Sequence, residues 1–312
     1  MENYGLVGVS IIVFVFCCLY SQTAGIFSSQ ANITTTIGNS SVVALAALAT
    51  VIPFRAGFLD LSVSASIGIA SVMTAAGMAH FGLPLWGAIG LGLLSGILVG
   101  ALNGFLVTVA KLDVFITTLG MATFLSGILQ WYTGGMPITT GLSLALQDFG
   151  SLTWWGIPRL VFLLIPVIAI AWYLLEHTPF GRELTAIGSN ARAAHMVGIG
   201  TKRVIWTSFL LSGAIAGIAG VLLTARSGGA DPLTGPGLMF PVLAAVFLGK
   251  TTIRPGQANV PGTIIGVLFV AFTVSGLSIA GAQAWVGPVF NGVALVGAIA
   301  LATYFGRRRT PA

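Results

Sequence analysis

Apolar residues in this chain run in long blocks, and short polar or Pro/Gly-rich breaks separate them. A bilayer core takes about 20 largely apolar residues per helix. Breaking the chain at charges, Pro/Gly clusters and polar runs gives spans at Gly5–Gln22, Ser40–Phe54, Leu61–Ala79, Leu85–Ala110 and Val114–Tyr132. The series continues with Leu160–Leu175, Val204–Ala225, Gly262–Ala280 and Trp285–Phe305. Ser40–Phe54 is short. Leu238–Leu248 is too short to cross as a straight helix and reads as a broken or bent crossing. The pattern predicts an all-α polytopic membrane protein of about ten transmembrane helices, one of them short or broken, in a single domain over 1–312.

Composition agrees with lipid as the solvent. Charged residues make up 6% of the 312, against about 25% in soluble domains, and the mean hydropathy is +1.01. These values exclude a soluble enzyme, a nucleic-acid binder and a disordered chain. The net charge of +6 has a simpler cause than a nucleic-acid partner, namely retention of basic residues on the cytoplasmic side. Ten crossings put both termini on one side, and Arg307, Arg308 and Arg309 make that side the cytoplasm. Arg55, Lys111, Arg182, Arg192, Lys202, Arg203, Lys250 and Arg254 join them, leaving only Arg159 and Arg226 outside. Trp154 and Trp155 in the long outer loop suit an interfacial aromatic belt.

The spans carry ridges of small residues. Gly92, Gly96, Gly100 and Gly104 recur at four-residue spacing, and Gly213 and Gly217 repeat the theme. Such ridges let helix backbones approach closely where lipid is as apolar as the helix surface. They argue for a compact bundle and not for a function.

Covalent chemistry is not written in the chain. Cys17 and Cys18 are adjacent in an apolar run and read as filler of the first span. His80, His177 and His195 are scattered, and the carboxylates show no ligand spacing, so no metal site is expected. No Walker A pattern, dinucleotide fingerprint or G-x-S-x-G occurs. No catalytic residues and no cofactor are expected.

The most polar stretch is the loop 176–203, in which eight of 28 residues are Glu, His, Lys or Arg. Asn190 is a good N-cap, Ala191–Val197 a short helical run and Gly198 a suitable terminator. A capped two-turn helix on the cytoplasmic face has no spanning role. Either it is a solvated connector or it docks a soluble partner that orders it.

Here the chain resembles a known family, the permease subunits of bacterial ABC importers of the ribose/xylose/arabinose/galactoside class. Thr178-Pro-Phe-Gly-Arg-Glu, followed by Ala186-Ile-Gly-Ser-Asn190-Ala-Arg-Ala-Ala-His-Met-Val-Gly198, is similar to the family's cytoplasmic coupling loop. Arg55-Ala-Gly-Phe-Leu-Asp60-Leu-Ser-Val is similar to its G-x-x-D-L-S-V motif. A third match begins near Gly235 and runs through Ala244-Ala-Val-Phe-Leu-Gly249 to Gly256, Pro261, Gly262 and Thr263, and Asn103-Gly104 and Thr117-Thr-Leu-Gly120 fall where the family has them. Lys250, Ser64 and Ala191 depart from the usual pattern.

The resemblance implies a subunit in the bacterial inner membrane, multi-pass, with both termini cytoplasmic. It implies a second permease subunit (the same chain or another), ATP-binding ABC subunits that hydrolyse ATP beneath, and a periplasmic solute-binding protein that delivers a sugar. Residues expected to couple to the ATPase are Gly181, Arg182, Gly188, Asn190, Ala193, Ala194 and Gly198. The motif residues Arg55, Gly57, Asp60 and Ser62 are expected to gate. Asp60 either pairs with Arg55 or caps the third span. Asn103, Thr117, Thr118, Gln130, Thr273 and Ser275 are candidates for the translocation path, each equally able to bond another helix. Two other functions stay open. One is an ABC permease for a branched-chain amino acid, nucleoside or furanosyl signal molecule. The other is an ion-coupled secondary transporter, which the lack of carboxylates near span centres disfavours.

Overall fold

The computed structural model of the chain describes residues 4–21 and 23–307, with backbone alone over 301–307. Gln22, the expected end of the first span, and Arg308 and Arg309 of the charge count lie outside the described residues, as does the Arg307 side chain. The helices are α1 (Gly5–Leu19), α2 (Ala24–Phe27), α3 (Gln30–Arg55), α4 (Val63–Ala79), α5 (Leu85–Thr108), α6 (Val114–Thr133) and α7 (Leu144–Ser151). A two-residue hairpin of β1 (Thr153–Trp154) and β2 (Ile157–Pro158) precedes α8 (Arg159–His177). Then come α9 (Pro179–Met196), α10 (Thr201–Ser227), α11 (Thr234–Gly237), α12 (Met239–Gly249), α13 (Val260–Ile279) and α14 (Val286–Arg307).

Among the described residues six helices, α3, α5, α6, α8, α10 and α13, are long and apolar enough to cross a membrane. Four shorter apolar segments, α1, α4, α11–α12 and the described part of α14, accompany them. The hub is formed by α3 and α10, whose apolar windows are 78% and 72% buried, whereas that of α6 is 17% buried. The glycines explain how α10 reaches the centre. A Cβ on Gly96 would stand 2.6 Å from the Gly213 carbonyl oxygen and 2.7 Å from the Gly217 Cα, so α5 and α10 touch backbone to backbone.

The second span departs from expectation. It begins at Gln30, ten residues before Ser40, and makes α3 a 26-residue helix. Ser29 caps it by accepting from the Asn32 amide. Asn32, Thr36 and Ser40 look like loop residues in the linear pattern, but the helix turns them inward, where Thr36 and Ser40 are buried. Buried polar side chains bonded within the protein are compatible with a span.

The stretch around Leu238–Leu248 is short and interrupted in the structure, as two helices, α11 and α12. Ala230 pairs with Ile138 in an antiparallel bridge beside the long loop after α6. From there the chain descends into the bundle, where Gly235 of α11 packs against the backbone of Gly68 inside α4. Only then does α12 begin. Its 11 residues rise about 16 Å, half of a bilayer core of about 30 Å. Irregular backbone at such depth is tolerated only where protein buries it, and Gly229, Ala230, Pro232 and Gly235 are buried.

Candidate functional site

Two ends of the bundle are distinguished by their charges. At one, Arg226 near the end of α10 donates from Nε to Asn39 Oδ1 (2.8 Å) and from a terminal nitrogen to the Gly150 carbonyl of α7 (3.2 Å). Arg159 lies over the Trp154 ring at 5.2 Å at the same end. At the other end of α3, sixteen residues or about 24 Å along the helix, Arg55 pairs with Glu176 of α8 at 2.7 Å. Arg55 also donates to the Thr185 hydroxyl of α9 (3.0 Å) and the Ala258 carbonyl (3.3 Å). Arg254, after α12, holds the second Glu176 oxygen. A single carboxylate thus joins α3, α8 and the loop before α13, and Arg55 adds α9.

The polar loop rests on this cluster. Thr178 opens α9 directly behind α8, so closely that a Cβ on Gly181 would overlap the Leu175 carbonyl. Gly188 lies against Arg55, where a Cβ would stand 2.5 Å from its carbonyl oxygen. Leu184 and Ile187 are buried, and Arg182 is exposed. At Asn190 the backbone turns extended (φ −161°, ψ 99°), which divides α9 in two. The Asn190 side chain accepts from the Ala193 amide at 3.0 Å and so caps the second piece. Gly198 ends it in the left-handed region at φ +90°, as its role as terminator requires.

One residue of this helix is placed differently from expectation. Ala194, read as part of the docking surface, is 4% exposed and belongs to the main core. The face turned outward carries Ala193, Met196 and Val197, the last two 81% and 77% exposed. The capping residues set the helix's ends, but its rotation about its own axis is set by packing, which linear spacing does not encode.

The motif around Asp60 forms a separate network. Arg55 and Asp60 do not pair, because Glu176 and Thr185 engage the guanidinium. Gly57 makes the turn after α3 at φ +87°. Asp60 is buried and accepts from the Ser62 amide (2.9 Å) and hydroxyl (2.7 Å), closing a turn just before α4. Asp60 is therefore not the helix cap, since Ser62 holds that position. Burial pushes its carboxyl up to about 6, against the hydrogen bonds from Ser62, which lower it. Asn103 of α5 donates to the Ser62 hydroxyl at 2.6 Å, and its own oxygen is buried and unbonded. Thr118 reaches the Leu59 carbonyl at 3.4 Å and completes this group.

The other path candidates fall elsewhere. Gln130 lies on the exposed side of α6, and Thr117, half-buried, donates to the Asp113 carbonyl at the start of its own helix (2.6 Å). Thr273 of α13 bonds the Phe269 carbonyl of its own helix (2.7 Å). Ser275 meets α3 by donating to Asn32 Oδ1 (3.1 Å) and accepting from the Thr36 hydroxyl (3.3 Å). The six candidates therefore sit in three places. Glu176 and Arg254, which tie this end of the bundle together, escaped the sequence reading because Glu176 is 121 residues from Arg55. Among the described residues no cluster of His, Cys, Asp or Glu could hold a metal ion.

Comparison with known proteins gives consistent matches. The family model described as "Branched-chain amino acid transport system / permease component" matches residues 32–299. The ribose import permease protein of Haemophilus influenzae is 31% identical over 96% of this chain and 93% of that protein. The ribose import permease protein of Bacillus subtilis is 33% identical over 93% and 90%, and the D-allose transport system permease protein of Escherichia coli is 32% identical over 96% and 91%. In fold, the chain is similar to an ABC transporter solved in an inward-facing conformation. That match has a TM-score of 0.57 and 14% identity, and covers 96% of this chain and 98% of the other.

Proposed function

Because the chain belongs to the branched-chain amino acid transport system / permease component family, we propose that it is the membrane subunit of an ATP-driven importer through which a sugar passes. The carrying observation is the capped helix after Asn190, anchored in the core by Ala194 behind the part of α9 that meets Arg55, and presenting Met196 and Val197 to solvent. The sugar class is favoured by the names of the ribose and allose relatives. Both termini face the cytoplasm in this reading, and the Arg55–Glu176–Arg254 end is the cytoplasmic one. Support comes from the grouping of Arg159 and Arg226, the two basic residues assigned outside, at the opposite end.

In this mechanism ATP-driven closure of the ATPase subunits presses on Ala193, Met196 and Val197. Ala194 is anchored in the core, so the push reaches the body of the bundle instead of bending the helix away. Gly188 and Thr185 pass it to Arg55, and Glu176 and Arg254 spread it to α8 and the loop before α13. Asp60, Ser62 and Asn103 hold the inner ends of α4 and α5 at one joint.

A second permease subunit belongs against α6. Its outward face sets Gly120, Thr123 and Gly127 as a shallow groove between the exposed side chains of Ile116, Leu119, Phe124 and Trp131, with open space at both glycines. Small residues that open a groove in a helix surface let a second helix approach closely, and the large side chains beside them give it packing area. The substrate is released to the path from a periplasmic binding protein. Whether the partner is the same chain or another changes none of these contacts.

The docking face has a direct test. Met196→Glu is expected to weaken retention of the chain's ATPase in a pull-down about tenfold, as loss of an exposed apolar anchor does, while membrane insertion stays normal. Ala194→Glu is expected to disturb the chain itself, because it puts a charge into the core. Full ATPase retention by Met196→Glu would remove this helix from the coupling mechanism.

A further inference from the structure

The stretch of α3 that the sequence pattern missed lines a cavity of about 360 Å³ between α3, α12, α13 and α14. Its polar lining includes Asn32, Thr36, Asn39, Ser275 and Asn291, among three asparagines and four hydroxyl residues, and valines, an alanine and Pro241 complete it. Two features make it more than a packing gap. Asn291 is 8% exposed, and its carboxamide oxygen receives no hydrogen bond from the protein. Buried amide oxygens are almost always paired, so this one is set to meet a donor carried into the cavity. The other feature is the floor. Pro241 stands in the first turn of α12, the helix that starts halfway through the bundle, so the cavity stops at that level. Asn32 and Asn39 belong to the first turns of α3 and Asn39 is bonded to Arg226, which places the cavity at the end of the bundle assigned to the outside.

The chemistry of the lining selects a ligand. Every polar side chain in it is an amide or a hydroxyl, and each of these can both donate and accept. No carboxylate, lysine or arginine lines it, so a zwitterionic or ionic solute would find no countercharge. The volume lies at the small end of the range for small-molecule pockets, about 300–1,000 Å³. We infer that each subunit holds its own outward-facing site for a neutral polyhydroxylated solute of monosaccharide size, in which Asn291 and Ser275 bond ligand hydroxyls. The inference rests on the importer reading and deepens it, since it places a sugar station inside one chain, apart from the α6 face where two subunits meet.

The test uses the chain assembled with its ATPase and binding protein in proteoliposomes, with Cys17→Ala and Cys18→Ala as background. Ser275→Cys is exposed to a small water-soluble thiol reagent from the outer side, with D-ribose, D-allose, L-arabinose or L-leucine present. The site predicts labelling that at least one of the sugars slows and L-leucine does not. Adding Asn291→Leu is expected to raise the protecting sugar concentration about tenfold, the worth of one buried hydrogen bond. Absence of labelling, labelling that no sugar slows, or protection by L-leucine would each overturn the site. Uptake measured in the same vesicles separates the two claims. If ATP-driven sugar uptake persists without protection, only this site fails, whereas uptake of no sugar refutes the importer reading.

Discussion

Glu176→Ala is expected to be the most damaging single substitution at the Arg55 end of the bundle. Arg55 and Glu176 are 6% and 8% exposed as side chains, so the change strands a buried guanidinium beside the hydroxyl of Thr185 and the carbonyl of Ala258. Removing one partner of a buried pair costs about 3–5 kcal/mol, far more than the net worth of the pair, because the remaining charge is uncompensated. The same carboxylate links α3, α8 and the loop before α13, so uptake is expected to fall with stability. Arg254→Ala supplies the contrast. Its side chain is 55% exposed, and exposed pairs are worth about 0–1 kcal/mol. Thermal unfolding of the two purified variants in one detergent checks the claim. Equal midpoints for Glu176→Ala and Arg254→Ala would show that the cluster does not hold this end together.

Gly96→Val is the second large effect. Any Cβ at Gly96 meets backbone atoms of Gly213 and Gly217, and backbone cannot rotate aside as a side chain can. Overpacking a tight core costs about 1–3 kcal/mol, and more where two helices must separate. Since α10 is a hub of the bundle, separation there is expected to remove most of the folded, detergent-stable chain. Gly90→Val on the same helix adds the same bulk to open space and is expected to leave yield unchanged. Similar yields from the two variants in size-exclusion chromatography would contradict the close approach of α5 and α10.

These residues also show what linear sequence can and cannot carry. The glycine ridge was legible because four-residue spacing alone puts Gly92, Gly96, Gly100 and Gly104 on one face. The ends of the helix after Asn190 were legible because capping is local, and Asn190 and Gly198 act within four residues of themselves. Non-local facts were not. The true partner of Arg55 lies on another helix, so Asp60, nearby in sequence, was a misleading candidate. Ala194 was assigned to the wrong face for the same reason. The start of α3 was hidden because polarity within a span and polarity in a loop look alike until burial is known. The shortness of α12 was legible in the run Leu238–Leu248, but α11 and the entry of the chain beside Gly68 depend on packing against α4.

Uptake by defined components tests the central claim most directly. The chain is reconstituted in proteoliposomes with its ATPase and its periplasmic binding protein, and accumulation of radiolabelled D-ribose, D-allose and L-arabinose is followed. The account predicts accumulation of at least one sugar that requires ATP, the ATPase and the binding protein together, and that survives a proton or sodium ionophore. Accumulation by the chain alone, abolished by the ionophore and indifferent to ATP, would contradict it and establish an ion-coupled transporter instead.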